Sequence, residues 1–128
     1  MNCYCGSEKK FADCCELLHQ GNIVAKTAVE LMRSRFSAYC VKNIVYLKKT
    51  SDPQTTSNFD FDDMKAWADQ VQFKKLQIIR SEEVKNKGLV EFKAVFIQDG
   101  VEKIHHELST FRRHLGQWYF RDGEVFSE

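Results

Sequence analysis

The sequence predicts an α+β protein in which a cysteine-rich knuckle precedes helices, and the helices pack on one face of an antiparallel sheet. Three observations lead there. Four of the five cysteines lie between Cys3 and Cys15. Apolar residues recur at helical spacing from Ala28 to Val71. From Phe73 onward the period changes to two.

The knuckle comes first. Cys3-Tyr4-Cys5-Gly6-Ser7-Glu8-Lys9-Lys10-Phe11-Ala12-Asp13-Cys14-Cys15 is too short to build a hydrophobic core, and a tetrahedral ion held by four thiolates would fold it. Cys3 and Cys5 supply one edge of the tetrahedron, Gly6-Ser7 turns the chain, and Cys14 and Cys15 supply the other edge. Zinc is the expected ion, because it accepts four thiolates without redox chemistry. A closed S4 site leaves no position for substrate, so its role is structural. Lys9 and Lys10 offset part of the negative charge and help keep the thiols deprotonated. An iron–sulfur cluster is the minor alternative. The plainer reading is two disulfides, but the chain starts Met-Asn-Cys without a secretory pattern, and disulfides are rare in a reducing cytosol. His19 could replace one sulfur, although a solvent-exposed histidine at a helix end is the simpler role.

The remaining elements follow in order. A polar link around Gln20-Gly21-Asn22 leads to Thr27-Ala28-Val29-Glu30, a capping box that starts a helix running to about Cys40. A short helix spans Ile44 to about Lys49, Asp52-Pro53 ends it, and Gln54 to Asn58 is a polar loop. Asp60 to Val71 forms a third helix with Met64, Trp67, Ala68 and Val71 on one face. Strands are expected at Phe73–Val84, Leu89–Gln98, Val101–Arg113 and Gln117–Asp122, joined by turns at Asn86-Lys87-Gly88, Asp99-Gly100 and Leu115-Gly116.

Composition narrows the function classes. A chain of 128 residues with 43% hydrophobic content, ten phenylalanines and two tryptophans supports one core beside the knuckle. A formal net charge of +1 gives no nucleic-acid footprint, and no apolar run approaches a membrane span. Arg112, Arg113, His114 and Arg121 form a basic cluster, expected as a solvated face. A cytoplasmic protein is the default expectation.

The long helix carries an anomaly. Arg35 falls within its apolar arc, between Leu31 and Ala28, while Arg33 sits at the edge beside Cys40. A desolvated guanidinium needs a partner. On the third strand His105, Glu107, Ser109 and Phe111 share one face. The expectation is therefore an Arg35–Glu107 ion pair under the sheet, with Ser109 or Tyr39 completing its hydrogen bonds. Cys40 is expected to be a small buried hydrophobe.

These residues also carry a resemblance. Cys-x-Cys-Gly-Ser-x-x-Lys-x-x-x-Cys-Cys resembles the SEC-C motif, a zinc-binding module found in the SecA translocation ATPase and in many bacterial proteins. Leu31-Met32-Arg33-Ser34-Arg35-Phe36-Ser37-Ala38-Tyr39, His106-Glu107-x-Ser109-x-Phe111 and Gly116-Gln117-Trp118-Tyr119-Phe120-Arg121-Asp122-Gly123 extend the likeness to the YchJ-like family of small bacterial proteins. The resemblance implies a zinc knuckle over residues 1–22 and, over residues 23–128, a cone-shaped domain similar to nuclear transport factor 2 (cystatin-like), with a curved sheet cupped around helices. Tyr4 stands where SEC-C motifs usually have Pro, and Glu8 where they have Gly. Glu8 takes a positive φ less cheaply than Gly, which puts the turn and the tightness of metal binding in question.

The family has no established activity, so the resemblance implies a fold and a metal rather than a reaction. Because the SEC-C module docks a chaperone in the ATPase, the leading expectation is a structural-zinc protein that meets a protein partner through its knuckle. The alternative is a small-molecule binder or enzyme using the polar floor of the cone. Arg33, Arg35, Tyr39, His105, Glu107 and Ser109 are its candidate residues. An open cavity reaching Glu107 favours the alternative, and a cone filled by Trp67, Phe92 and Phe111 favours the docking module. A monomer or a homodimer is expected.

Overall fold

The computed structural model describes residues 2–126. A 3-10 turn at Phe11–Asp13 and a short helix, α1 (Cys15–His19), close the cysteine segment. Five residues cannot hold a helix by themselves. α1 persists because it packs on the long helix α2 (Ala28–Cys40), and that tertiary support is invisible in local sequence. Thr27 caps α2 as expected, its hydroxyl accepting from the Glu30 amide at 3.1 Å. The Glu30 carboxylate, however, reaches back to the Lys26 amide.

α3 (Ile44–Lys49) and α4 (Phe61–Gln70) follow, capped by Asn43 and Asp60. Four strands then form one antiparallel sheet in the order β1 (Gln72–Val84), β2 (Lys87–Gln98), β3 (Val101–His114), β4 (Gln117–Val125). The first hairpin turns at residues 85–86, one step earlier than the sequence suggested, and the last strand runs three residues further.

Alternation along β2 buries Val90, Phe92, Ala94 and Phe96 against the helices, as its pattern predicts. Leu31 and Phe36 of α2 meet them, with Phe111 and Trp118 completing the main core. Losing a buried aromatic such as Phe111 costs about 3–5 kcal/mol. α4 crosses one end of the sheet, where Trp67 packs edge-on against Phe73 and Phe96.

The segment after α3 is stitched to β4. Asp52 donates its amide to Phe120 O, and the Phe120 amide donates to Thr50 O, each at 2.8 Å. The Asp52 carboxylate is fully buried and gripped by Arg112, Nε at 2.8 Å and Nη2 at 2.9 Å, with Arg121 at 3.3 Å. Arg112 and Arg121 are therefore not free charges of a basic face. They neutralise a carboxylate sixty or more residues away, and Arg113 stacks over Trp118.

Candidate metal centre and cone cavity

The knuckle brings Cys3, Cys5, Cys14 and Cys15 together, with all four sulfurs within 4.8 Å of one another. Gly6 takes a φ of 85° that favours glycine, and the turn then needs a second positive φ at Glu8, 69°. Glu8 thus adopts the left-handed conformation that glycine takes more readily, at a cost of about 1 kcal/mol in backbone strain. Ser7 donates or accepts at the Cys14 sulfur, 3.1 Å away.

The donor set fits a metal. An S4 tetrahedron with metal–sulfur bonds of about 2.3 Å has edges of about 3.8 Å. Cys5 and Cys14 sulfurs lie 3.7 Å apart, and Cys14 and Cys15 sulfurs 4.0 Å. A hydrogen bond with Cys15 holds the Cys5 thiol down at about 4, while the same bond and burial push Cys15 up. Burial also raises Cys14. An ion entering this set displaces the retained protons, so uptake releases acid.

The knuckle is anchored to α2. Arg33 Nη1 donates to Cys5 O, and Ser37 Oγ lies 3.6 Å from the Cys3 sulfur. His19 Nε2–H donates to Ser34 O at 2.8 Å, and its ring lies tilted against Tyr46, 4.5 Å between centroids. Two expectations change here. His19 is half-buried and neither a ligand nor an exposed helix end; burial lowers its pKa. Arg33 does not enter the cone, because its place on α2 faces the knuckle.

Another face of α2 walls the cone. A cavity of about 410 Å³ lies between α2, α4 and the concave face of the sheet. Its walls are mostly aromatic, with Trp67, Phe73, Phe92 and Phe96 among them, and its polar floor holds Arg35, Tyr39, His105, Glu107 and Ser109. Trp67 and Phe92 line this space without filling it, and Phe111 packs in the core beneath.

The expected Arg35–Glu107 ion pair does not form. Arg35 is 3% exposed, and its Nη1 donates to Leu47 O at 2.9 Å, Thr50 Oγ1 at 2.7 Å and Ser51 Oγ at 3.4 Å. Its guanidinium also lies over Phe120, 4.6 Å from the ring centroid. The C-terminal end of α3 competes successfully for the arginine, because helix-end carbonyls lack intrahelical donors.

Glu107 is held by its own strand. His105 Nε2–H donates to Oε1 at 2.8 Å and Ser109 Oγ–H to Oε2 at 2.5 Å. Burial alone would raise the Glu107 pKa, but the hydrogen bonds from His105 and Ser109, with the Arg35 charge nearby, overcome it and hold the carboxyl below its ordinary value. Gly123 on β4 makes room, since a Cβ there would collide with the Glu107 carboxylate. An ionised Glu107 that accepts from His105 Nε2–H fixes the imidazole tautomer and leaves Nδ1 as an acceptor. Tyr39 stays protonated, its pKa raised by burial. Cys40 is half-buried and inert, its thiol pushed up to about 12 by burial.

Sequence reasoning missed Phe120 and the Leu47–Ser51 acceptors around Arg35. The only sequence signal for them is the polar run that ends α3.

A family model described as YchJ, middle NTF2-like domain, matches residues 27–123, and the SEC-C motif matches residues 2–17. The chain belongs to the YchJ-like family. A UPF0225 protein of Geobacter sulfurreducens is 40% identical over 124 residues, covering 94% of this chain and 77% of that one. Another UPF0225 protein, from Haemophilus influenzae, is 38% identical over 125 residues, 97% of this chain and 78% of its own. Among solved structures, a SEC-C motif containing protein from Rhodopseudomonas palustris superposes with a TM-score of 0.91 at 41% identity, covering 99% of this chain and 100% of that one. One from Psychrobacter arcticus gives 0.85 at 30% identity, covering 100% and 84%. This YchJ-like chain thus has the expected α+β architecture, with a cysteine cluster able to hold a metal ion. None of its described helices is long and apolar enough to cross a membrane.

Proposed function

We propose that this YchJ-like protein is a zinc-stabilised ligand-binding protein. Cys3, Cys5, Cys14 and Cys15 hold a structural Zn2+, and the cone receives a small molecule. The observation that carries this reading is the cavity itself, which reaches Glu107 and Ser109 past aromatic walls and has a volume in the range of small-ligand sites. Zinc is favoured over other ions by four sulfur donors in a closed set. With every position filled by protein, the ion supplies folding energy and no chemistry. At the floor, His105 oriented by Glu107 can accept a hydrogen bond or a proton from the ligand.

Metal analysis of reduced protein is expected to give one zinc per chain, with four thiols released to labelling on chelation. Fragment screening by protein NMR is expected to move resonances of Trp67 and His105 first. Protein without metal, or fragments that never perturb the cone, would overturn the corresponding half of the proposal.

A second reading, docking of a protein partner at the knuckle, is supported by Ile23. It is 49% exposed and borders a groove shared with Cys14 and Cys15. Ile23→Asp that abolishes crosslinking to a partner while leaving the metal in place would support it; unchanged crosslinking would remove it.

A further inference from the structure

We propose that the ligand of the cone is a small organic monocarboxylate with an aromatic or branched aliphatic body, its carboxylate seated on the Nε–Nη2 edge of Arg35. The proposal rests on the reading of the cone as a ligand site and names its ligand class.

Arg35 is the reason. Every protein hydrogen bond it makes uses Nη1, and every acceptor is neutral. One guanidinium face is occupied by Phe120. Among the described residues no carboxylate comes within ion-pair distance, and Nε and Nη2 have no hydrogen-bond partner. No fully buried side-chain N or O atom lacks a partner, so these two donors are not sealed in protein. They belong to a residue that lines the cavity and is otherwise buried. A cation without a direct ion-pair partner in such a place is costly, and an anion delivered to its free edge recovers that cost.

The same chain shows what this edge does when a carboxylate is supplied. Arg112 holds Asp52 through Nε and Nη2 at 2.8 and 2.9 Å, the two parallel bonds of a planar fork. Glu107 cannot play Asp52's part for Arg35, because His105 and Ser109 hold its two oxygens above Gly123.

The rest of the cavity sets the ligand's other features. Trp67, Phe73, Phe92 and Phe96 offer no charge, so the body that meets them is apolar. Glu107 shares the space and is ionised, so a second negative charge on the ligand is repelled. Together these disfavour inorganic phosphate and dicarboxylates. Tyr39 stands beside the arginine as a protonated hydroxyl able to donate to the same anion.

The test uses the full metal-loaded chain and defined probes: phenylacetate and isovalerate, their neutral amides, and inorganic phosphate. Binding is followed by calorimetry and by the NMR signals of Trp67 and His105. The acids are expected to bind about tenfold or more tighter than their amides, as charge-assisted hydrogen bonds predict. Arg35→Lys, which keeps the charge but loses the fork, is expected to remove most of that preference. If Arg35→Lys does not fold, the acid–amide ratio of the unaltered chain decides alone. Acids and amides binding the cone equally would overturn the carboxylate while leaving the ligand site. Phosphate matching the acids would overturn the apolar body. No probe reaching Trp67 or His105 would overturn both the proposal and the ligand-site reading beneath it.

Discussion

The knuckle and the cone stand on different faces of α2 and are held by opposite means. Four sulfurs gathered from thirteen residues make the knuckle, with little apolar burial beyond Phe11 beside them. The cone is enclosed by the main helices and the sheet, and its walls stand on core packing. One region gathers donors that an ion could brace, whereas the other takes its shape from core packing. A closed set of donors marks a structural role, and an open set beside apolar walls marks a binding role.

The largest effect that can break this contrast comes from the knuckle. Cys5→Ser is expected to abolish metal retention and lower the thermal midpoint more than any other single change here. Structural zinc contributes about 10–16 kcal/mol to the folding of small metal-dependent segments. Retention of one equivalent of metal by the variant would show that the four sulfurs do not act as a unit.

Next is the clamp behind the cone. Asp52→Asn leaves Arg112 and Arg121 without their buried anion and is expected to lower the midpoint by several degrees. The exposed Lys65–Asp69 pair, broken in a parallel variant, costs at most about 0.5 kcal/mol. Acid sharpens the same point. The Arg112 hydrogen bond holds Asp52 below its ordinary value of 3.8, and the Glu107 carboxyl is held below 4.5. Groups depressed on folding stabilise fully above the unfolded value and lose that contribution as pH falls through the folded one. Denaturation midpoints should therefore begin to fall as pH drops through about 6.5, where buried His19 resists protonation, fall again below about pH 4, and fall less steeply in that lower range in Asp52→Asn.

A smaller effect isolates the cone floor. Gly123→Ala forces the Glu107 carboxylate aside and is expected to cost about 1–3 kcal/mol, as overpacking does. It should also move the His105 ring resonances seen by NMR, because Glu107 is its hydrogen-bond partner. An unmoved His105 would separate the imidazole from the carboxylate.

Smallest of all, Glu8→Gly relieves the positive φ of the knuckle turn. It is expected to tighten metal retention about fivefold, matching roughly 1 kcal/mol of strain, as measured by competition with a chelator. The cone should not respond.

What the sequence disclosed divides along the same line. The cysteines are legible because ligand spacing is local. His105, Glu107 and Ser109 are legible as one face because strand alternation is local too. Arg35 is recognisable as buried from its helical position. Its partners are not, since a carboxylate on a facing strand is the obvious candidate and the carbonyl at the end of α3 is not. Arg112 and Asp52 lie sixty residues apart, so the pair read as a surface charge and a helix stop. α1 escaped notice because its stability is borrowed from α2. The side of α2 that Arg33 takes was missed because an edge position faces either neighbour, and only the docked knuckle decides.

α2 has a consequence of its own. Arg33 grips the Cys5 carbonyl from the same helix that, two residues later, presents Arg35 to the cavity. Both proposed sites thus meet on one helix, and any coupling between them must be reciprocal. Whatever factor metal loading contributes to the cone's affinity, a ligand in the cone returns to the metal, so a chelator titration run with and without the cone occupied measures the communication between them.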